Sequence, residues 1–188
     1  MEKQQNLFAI AADHSETKSP KSKTAGNEKK PALAAKHSFT IYLDGASRGN
    51  PGPAGAGIYM LFNGKPFAQH GFYLGKKTNN QAEYMALVLA VLLVKQATEK
   101  DGVAYSSIAF ISDSELLIKQ MKGIYRVKNE VLALLQAFII QHLQGITCSF
   151  THVLRHKNVH ADQLANDGID KKQKIPTTFA KILSHYGL

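Results

Sequence analysis

The chain has 188 residues, enough for one domain with a sizeable apolar core and a tail. Its 23 Lys and Arg against 14 Asp and Glu give a net charge of +9, which favours a polyanionic partner, nucleic acid before an anionic membrane surface. A single cysteine, Cys148, excludes an internal disulfide framework and suits a reducing compartment. No apolar run reaches the roughly 20 residues of a membrane span, so we expect a cytoplasmic protein without membrane attachment.

The composition of the chain changes near residue 37. Residues 1–37 contain seven Lys and four acids among many Ser, Thr, Ala and Gln residues. Such a segment has too little apolar surface to offset its ordering entropy, so we predict a disordered tail. Its lysines could add non-specific affinity for phosphates, or the tail could be a solvated linker without a specific role. Residues 38–172 are predicted to form the globular domain, and 173–188 a C-terminal extension with a short helix.

Three antiparallel strands open the predicted domain. FTIYLD alternates apolar and polar residues, as a half-buried strand does. A turn rich in Gly and Pro leads to GIYMLFN, and the Asn-Gly pair that follows is typical of a tight hairpin into a third strand. A helix running to about Ala97 comes next, for which Asn79 or Asn80 could be the N-cap.

The second half of the domain alternates helices and strands. SSIAFIS predicts a short buried strand, ELLIKQMKG a helix, NEVLALLQAFIIQHLQG an amphipathic helix and TCSFTHVLR a strand. Residues 158–169 are predicted to form the last long helix. Three hairpin strands followed by this alternation predict an α/β fold, with a five-stranded mixed sheet flanked by helices.

Four carboxylates lie inside or beside strongly apolar stretches: Asp44, Glu83, Asp113 and Asp162. A carboxylate in such a place costs free energy unless it is paired or binds a metal. Asp44 and Asp113 end two strands, and side chains at the carboxyl ends of adjacent parallel strands converge. Glu83 shares a helical stripe with core-facing residues, and Asp162 lies in the first turns of the last helix. All-oxygen ligands select hard Mg²⁺ or Mn²⁺, so we predict a divalent-metal site.

Each acid alone also has a structural explanation. Asp44 could be a turn residue, Asp113 a helix N-cap, and Asp162 a first-turn acid favoured by the helix dipole. None of these roles accounts for Glu83, nor for four acids placed this way in one chain.

Four segments occur in this order along the chain: DGASRGNPGPAGAG, TNNQAEYMAL, ISDSELLIKQMKG with IYRVKN after it, and VLRHKNVHADQLAND. Together they resemble the motif blocks of the type I ribonucleases H, over about residues 38–172. The chain is more similar to the shorter bacterial and archaeal branch, because no basic helix stands between Gly123 and NEVLALLQAF. The resemblance implies the ribonuclease H-like fold and a catalytic, metal-binding quartet at Asp44, Glu83, Asp113 and Asp162.

The resemblance also implies an activity, endonucleolytic hydrolysis of the RNA strand of RNA–DNA hybrids. Two Mg²⁺ ions, for which Mn²⁺ can substitute, would activate water and stabilise the departing 3′-oxygen, leaving 5′-phosphate and 3′-OH ends. The hybrid would be the partner of a free-standing monomer, with no obligate protein partner. The alternatives are a catalytically weak binder of hybrid or double-stranded RNA, and a nuclease of the same fold acting on another nucleic acid.

Substrate contacts are expected from the glycine-rich turn and the helix starts. The turn offers backbone groups at close approach, and contacts to 2′-hydroxyls distinguish RNA from DNA. His156 aligns with a mobile catalytic histidine of the family, with Arg155 as the competitor; otherwise His156 is a surface histidine. For Asn79 and Asn80, contact with the hybrid and helix capping are equally open. The predicted substrate-binding residues are Gly45, Ala46, Ser47, Asn50, Asn79, Asn80, Ser114 and Arg155.

Overall fold

The computed structural model describes residues 37–188. The predicted tail, except its last residue, therefore lies outside the described residues. Its predicted disorder and its suggested affinity for phosphates concern that part of the chain and stay predictions. Five strands form one sheet: β1 (Ser38–Ser47), β2 (Gly52–Phe62), β3 (Lys65–Lys77), β4 (Ser107–Ser112) and β5 (Cys148–His152).

The strand order in the sheet is β3-β2-β1-β4-β5. β1 pairs antiparallel with β2, and β2 with β3, whereas β1 with β4 and β4 with β5 run parallel. The predicted mixed sheet, with three antiparallel strands followed by parallel ones, is confirmed. Because β1 lies at the centre with β4 beside it, the carboxyl ends of these two parallel strands meet at one edge.

Five helices accompany the sheet: α1 (Asn79–Glu99), α2 (Glu115–Met121), α3 (Glu130–His142), α4 (Val159–Lys171) and α5 (Thr177–His185). A single 3-10 turn, Arg155–Lys157, precedes α4. No helix lies between α2 and α3, as expected for the shorter branch of the family. None of the helices within 37–188 has the length and apolar character that crossing a membrane requires.

The N-caps differ from the predicted ones. Thr78 caps α1, and its hydroxyl accepts from the backbone N–H of Gln81, while the Gln81 side chain accepts from the Thr78 N–H. This reciprocal capping box satisfies two free backbone donors at once. The prediction that Asn79 or Asn80 caps the helix was therefore wrong, and both residues lie exposed in its first turn.

Two glycines bring helices close to opposite faces of the sheet. Gly57 of β2 pairs with Asp44 of β1, and paired residues face the same side of a sheet. Gly45 is the next residue after Asp44, so it faces the side opposite to Gly57. Gly45 has no room for a Cβ because the backbone of α1 at Glu83 lies against it, and Gly57 meets the backbone of α4 at Ala161. The sheet is thus covered by α1 on one face and by α4 on the other.

The long helix α1 is buried almost all round between Ala82 and Val94. The sheet covers one side of it and α3 packs on another, so an apolar stripe is not enough to tell which side faces the sheet. α3 departs from a clean amphipathic pattern, since its outward residues Val131, Leu134 and Ile140 are apolar and exposed.

α5 lies in the segment predicted as a C-terminal extension. Its residues Phe179 and Leu183 are buried in the core, and the carbonyl of Gln173 accepts a hydrogen bond of 2.7 Å from the backbone N–H of Tyr73. This segment is therefore packed onto the sheet and its helices. The division into tail, domain and extension stays a prediction.

Candidate active site

Asp44 and Asp113 lie side by side where the pairing of β1 with β4 ends. Asp113 follows the last residue of β4, as predicted, but β1 continues to Ser47 in its pairing with β2, so the prediction that Asp44 ends its strand was wrong. Tyr42 is the parallel partner of Ile111, and the two aspartates follow these residues by two positions each. Asp44 is only 6% exposed. Burial first, then the charges of Asp113 and Asp162, raise the pKa of Asp44 to about 7, and a hydrogen bond with the Asp113 carboxyl adds to the effect.

Glu83 reaches the same edge from α1. It is 6% exposed, and its Oε2 accepts a hydrogen bond of 3.1 Å from the backbone N–H of Gly45, the residue after Asp44. Burial, followed by the charges of Asp44 and Asp113, raises the pKa of Glu83 well above its usual range, against the opposing effect of the Gly45 N–H. The close approach at Gly45 is therefore what brings the helix carboxylate to the strand end.

Asp162 comes from the first turn of α4. Its Oδ1 accepts a hydrogen bond of 2.6 Å from Nη2 of Arg155, and its side chain is 29% exposed. The Arg155 guanidinium opposes the rise in the pKa of both Asp44 and Glu83, so its charge acts on the whole group of acids. Four carboxylates that are far apart in the chain thus interact electrostatically at one edge of the sheet.

Asn158 is a residue of this site that sequence reasoning missed. It is 1% exposed, and its Nδ2 donates to the carbonyl of Leu43 at 3.0 Å and to Oδ1 of Asp113 at 2.6 Å. Its own Oδ1 is buried and has no partner among the described residues. An asparagine before a helical run normally signals an N-cap, but the Asn158 side chain makes no capping bond. Nothing in the local sequence distinguishes the two roles.

The glycine-rich turn between β1 and β2 is tied to the start of α1. The Ser47 hydroxyl lies 2.5 Å from the carbonyl oxygen of Gly49 and 2.8 Å from that of Lys77, and can donate to either. Oδ1 of Asn50 accepts a hydrogen bond of 3.1 Å from the backbone N–H of Asn79. Two of the predicted substrate-binding groups, the turn and the first turn of α1, therefore form one continuous surface.

The remaining predicted residues lie in β1 and at or just before the starts of α1, α2 and α4. Ala46 is half-buried near the end of β1, and Asn80 is exposed on α1. Ser114 caps α2, its hydroxyl accepting from the backbone N–H of Leu117 at 3.4 Å. His156 is exposed in the 3-10 turn, and among the described residues no hydrogen bond or ion pair joins it to the four acids. Its role in catalysis stays a prediction.

The donor set suits a divalent cation, although the acids are not arranged around one. Within residues 37–188, no three His, Cys, Asp or Glu side chains stand close enough to hold a metal ion. Two of the acids bind neighbours instead, Asp162 the guanidinium of Arg155 and Asp113 the amide of Asn158. The ligands are all hard oxygens, and a cation among them would relieve the repulsion from Asp113 and Asp162 that adds to burial in raising the pKa of Asp44.

A family model described as RNase H matches residues 36–170. A protein named Ribonuclease HI from Halobacterium salinarum is 39% identical over 131 residues, which cover 69% of this chain and 63% of that protein. A bifunctional protein from Mycobacterium tuberculosis is 34% identical over 136 residues, covering 69% of this chain and 35% of its own length. The chain thus matches less than two thirds of the length of either relative.

Solved structures give the same family. LC11-RNase H1, in complex with an RNA/DNA hybrid, has 37% sequence identity and a TM-score of 0.66, covering 71% of this chain and 97% of its own. RNase H1 from Halobacterium salinarum has 38% identity and a TM-score of 0.64, covering 71% of this chain and 98% of its own. With a matching family model over most of the chain and relatives of this similarity, the chain belongs to the ribonuclease H family, in its type I branch.

Proposed function

We propose that this protein is an endonuclease that hydrolyses the RNA strand of RNA–DNA hybrids, using two divalent metal ions and leaving 5′-phosphate and 3′-OH ends. The observation that carries the proposal is the meeting of Asp44, Glu83, Asp113 and Asp162 at one strand edge, in a chain of the ribonuclease H family. A hybrid bound to the related LC11-RNase H1 supports the choice of substrate. The family depends on divalent metals, and Mg²⁺ is the ion we propose, with Mn²⁺ as a substitute.

The chain's own residues would hold the four acids in place for this chemistry. The Gly45 N–H orients the Glu83 carboxylate, and the Asn158 amide fixes Asp113 against the end of β1. Asp44 interacts electrostatically with both of these acids, and burial raises its pKa as it raises that of Glu83. When bound, the cations would lower the pKa of the attacking water and stabilise the negative charge on the leaving oxygen.

The hybrid would lie across the continuous surface made by the turn and the first turn of α1. Asn79 and Asn80 are proposed to contact it, since neither side chain is needed for capping. Ser47 and Asn50 of the turn, with the backbone of Gly45 and Ala46 before it, are proposed to add contacts, and so are Ser114 and Arg155 near the acids. Reading of consecutive 2′-hydroxyls by such groups would distinguish the RNA strand.

Cleavage of matched substrates by the wild type and by Asp44→Asn tests the proposal. We expect the wild type to cut the RNA strand of a hybrid with Mg²⁺ present, and the variant to bind the hybrid without cutting it. Asp167→Asn is the matched control, because Asp167 lies on α4 and pairs with Lys171, away from the four acids. We expect this control to cut at the wild-type rate.

Two other outcomes would replace the proposal. Metal-independent hybrid binding with no cleavage by the wild type would make the protein a binder. Faster cutting of double-stranded DNA or double-stranded RNA than of the hybrid would make it a nuclease for another nucleic acid.

A further inference from the structure

A small cavity lies beside the four acids, on the sheet face that α4 partly covers. Its volume is about 190 Å³, below the roughly 300–1,000 Å³ of pockets for drug-sized ligands, so it suits a single flat group. Asn158 lines this cavity and also binds Asp113, so the cavity shares a wall with the candidate active site. We call it the tyrosine pocket, and it is lined by Tyr42, Tyr59, Leu61, Lys157, Asn158 and His160.

Three aromatic rings form one side of the tyrosine pocket. The Tyr59 ring lies between the other two, with centroid distances of 6.3 Å to Tyr42 and 5.0 Å to His160. The two tyrosines are only partly buried and His160 is exposed. Core aromatics of this chain, such as Phe39 and Phe110, are by contrast fully buried. The pocket therefore presents accessible ring surface on which another planar group can stack.

The charge of the tyrosine pocket favours an anionic ligand. Lys157 is exposed at its rim, and none of the six residues that line it is acidic. Lys157 ends the exposed 3-10 turn, and Arg155 in the same turn is paired with Asp162, so Lys157 is the cation that a ligand in the pocket would meet. Proteins that bind unpaired nucleotides combine aromatic rings with a nearby cation. The base stacks on the rings, and the cation binds the phosphate.

We propose that the tyrosine pocket binds one nucleotide of single-stranded nucleic acid, with its base against Tyr59 and its phosphate at Lys157. Bases within a duplex are paired and stacked on each other, so a base from a duplex cannot enter without being unstacked. A single-stranded tail that continues from a hybrid at the four acids would pass the pocket, because Asn158 borders both. The inference rests on the proposed function only in taking nucleic acid as the partner.

Binding of short fluorescent oligothymidylate and oligouridylate to the full chain, measured by anisotropy without divalent metal, tests this inference. Base–aromatic stacking is lost in Tyr59→Ala, which should weaken affinity by roughly 5- to 150-fold. Tyr59→Phe keeps the ring and should bind like the wild type. Lys157→Gln should weaken binding and lower the slope of log affinity against log salt by about 1.

A control and a mapping experiment keep the result specific. Tyr186→Ala removes an aromatic ring that is 36% exposed and does not line the pocket, and should leave affinity unchanged. An oligonucleotide carrying 5-iodouracil should crosslink to Tyr42, Tyr59 or His160 on irradiation. Equal affinities of the wild type and Tyr59→Ala, or crosslinks confined to other residues, would overturn the inference.

Failure of this inference and failure of the proposed function give different results. If the wild type cuts the hybrid but Tyr59→Ala binds oligonucleotides normally, only the tyrosine pocket is excluded as a nucleotide site. If Tyr59→Ala binds weakly while the wild type cuts no hybrid, the pocket stands and the proposed function fails.

Discussion

Asn158 connects the ends of two neighbouring strands through one amide group, which donates to Leu43 of β1 and to the Asp113 carboxylate. Removing the amide would leave Asp113 without its buried partner and free to turn away from Asp44. Changing a group that orients a metal ligand typically costs 10- to 100-fold in activity or metal affinity. We therefore expect Asn158→Ala to lower kcat for hybrid cleavage by about 10- to 100-fold.

The Asn158→Ala change could also lower the stability of the fold, and this effect must be separated from the loss of orientation of Asp113. Asn129→Ala is the matched control, since Asn129 caps α3 far along the chain from the acids. Loss of such a cap costs about 1 kcal/mol of stability and should leave kcat unchanged. Wild-type kcat in the Asn158→Ala variant would show that Asp113 needs no support from the amide.

The burial of Asp44, together with the charges of the acids near it, predicts a pH-dependent cost to the folded state when no metal is bound. The pKa of Asp44 rises from 3.8 to about 7 on folding, so the folded state binds this proton more tightly, and stability falls as the pH rises between these values. Asp44→Asn removes the carboxyl group that titrates, and with it this fall in stability. We expect the metal-free variant to melt at a higher temperature than the metal-free wild type above pH 7.

Thermal unfolding in EDTA and in saturating Mg²⁺ checks this expectation. Mg²⁺ that binds only the folded state should raise the melting temperature of the wild type, and should raise that of Asp44→Asn much less. A wild type that is the more stable protein in EDTA above pH 7 would mean that Asp44 is not in the crowded, buried setting described.

The four acids could be proposed from the sequence because each lies inside or beside an apolar stretch, which is a local signal. It did not identify the partners of those acids. The bonds of Arg155 to Asp162 and of Asn158 to Asp113 join residues that meet only after the strands pair and α4 docks. Such partners depend on tertiary structure, so no periodicity or spacing could have predicted them.

At the level of elements, the mixed sheet could be predicted because the Asn-Gly turn indicated hairpin strands first, and the alternation of helices and strands after them indicated parallel pairing. The cap of α1 was predicted wrongly because asparagine is a strong capping residue, so Asn79 and Asn80 were preferred. The capping box is formed by Thr78 and Gln81, the residues on either side of them. The orientation of α1 was predicted from a stripe that proved uninformative, since the helix is buried on nearly every side. Glu83 is placed by the contact at Gly45 instead.

That contact gives a prediction for the packing of α1 on β1. Gly45→Ala adds a Cβ where the backbone of Ala82 and Glu83 lies. Forcing atoms into a packed contact usually costs about 1–3 kcal/mol, and the helix would have to move away together with the Glu83 carboxylate. We expect lower stability and a higher Mg²⁺ requirement for cleavage, measured by chemical denaturation and by a metal titration.

The matched control for this change is a glycine with free space around it. No atom lies within 4 Å of a Cβ built at Gly102, whose φ of 68° suits asparagine. Gly102→Asn should therefore change neither stability nor the Mg²⁺ requirement appreciably. A Gly45→Ala variant that behaves like this control would show that the close approach of α1 does not position Glu83.

For the whole molecule, charge sets how strongly the protein holds a polyanion. Of the 23 Lys and Arg, seven are lysines in residues 1–36, which also contain four acids. Affinity for nucleic acid falls with salt in proportion to the phosphates neutralised. Deletion of residues 1–36 should therefore weaken hybrid binding at low salt and flatten its salt dependence, with kcat unchanged. If the deletion leaves the slope of log affinity against log salt unchanged, the charges that bind the hybrid lie in the domain alone.

We propose that four carboxylates from separate parts of the chain jointly bind the cations on which nuclease activity depends. Anomalous diffraction from crystals soaked in Mn²⁺ tests it most directly, because manganese positions are then observed independently of activity. We expect anomalous peaks in direct contact with the carboxylates of Asp44, Glu83, Asp113 and Asp162. Manganese bound elsewhere, with the Asp44 carboxylate pointing away from Glu83, would contradict the claim.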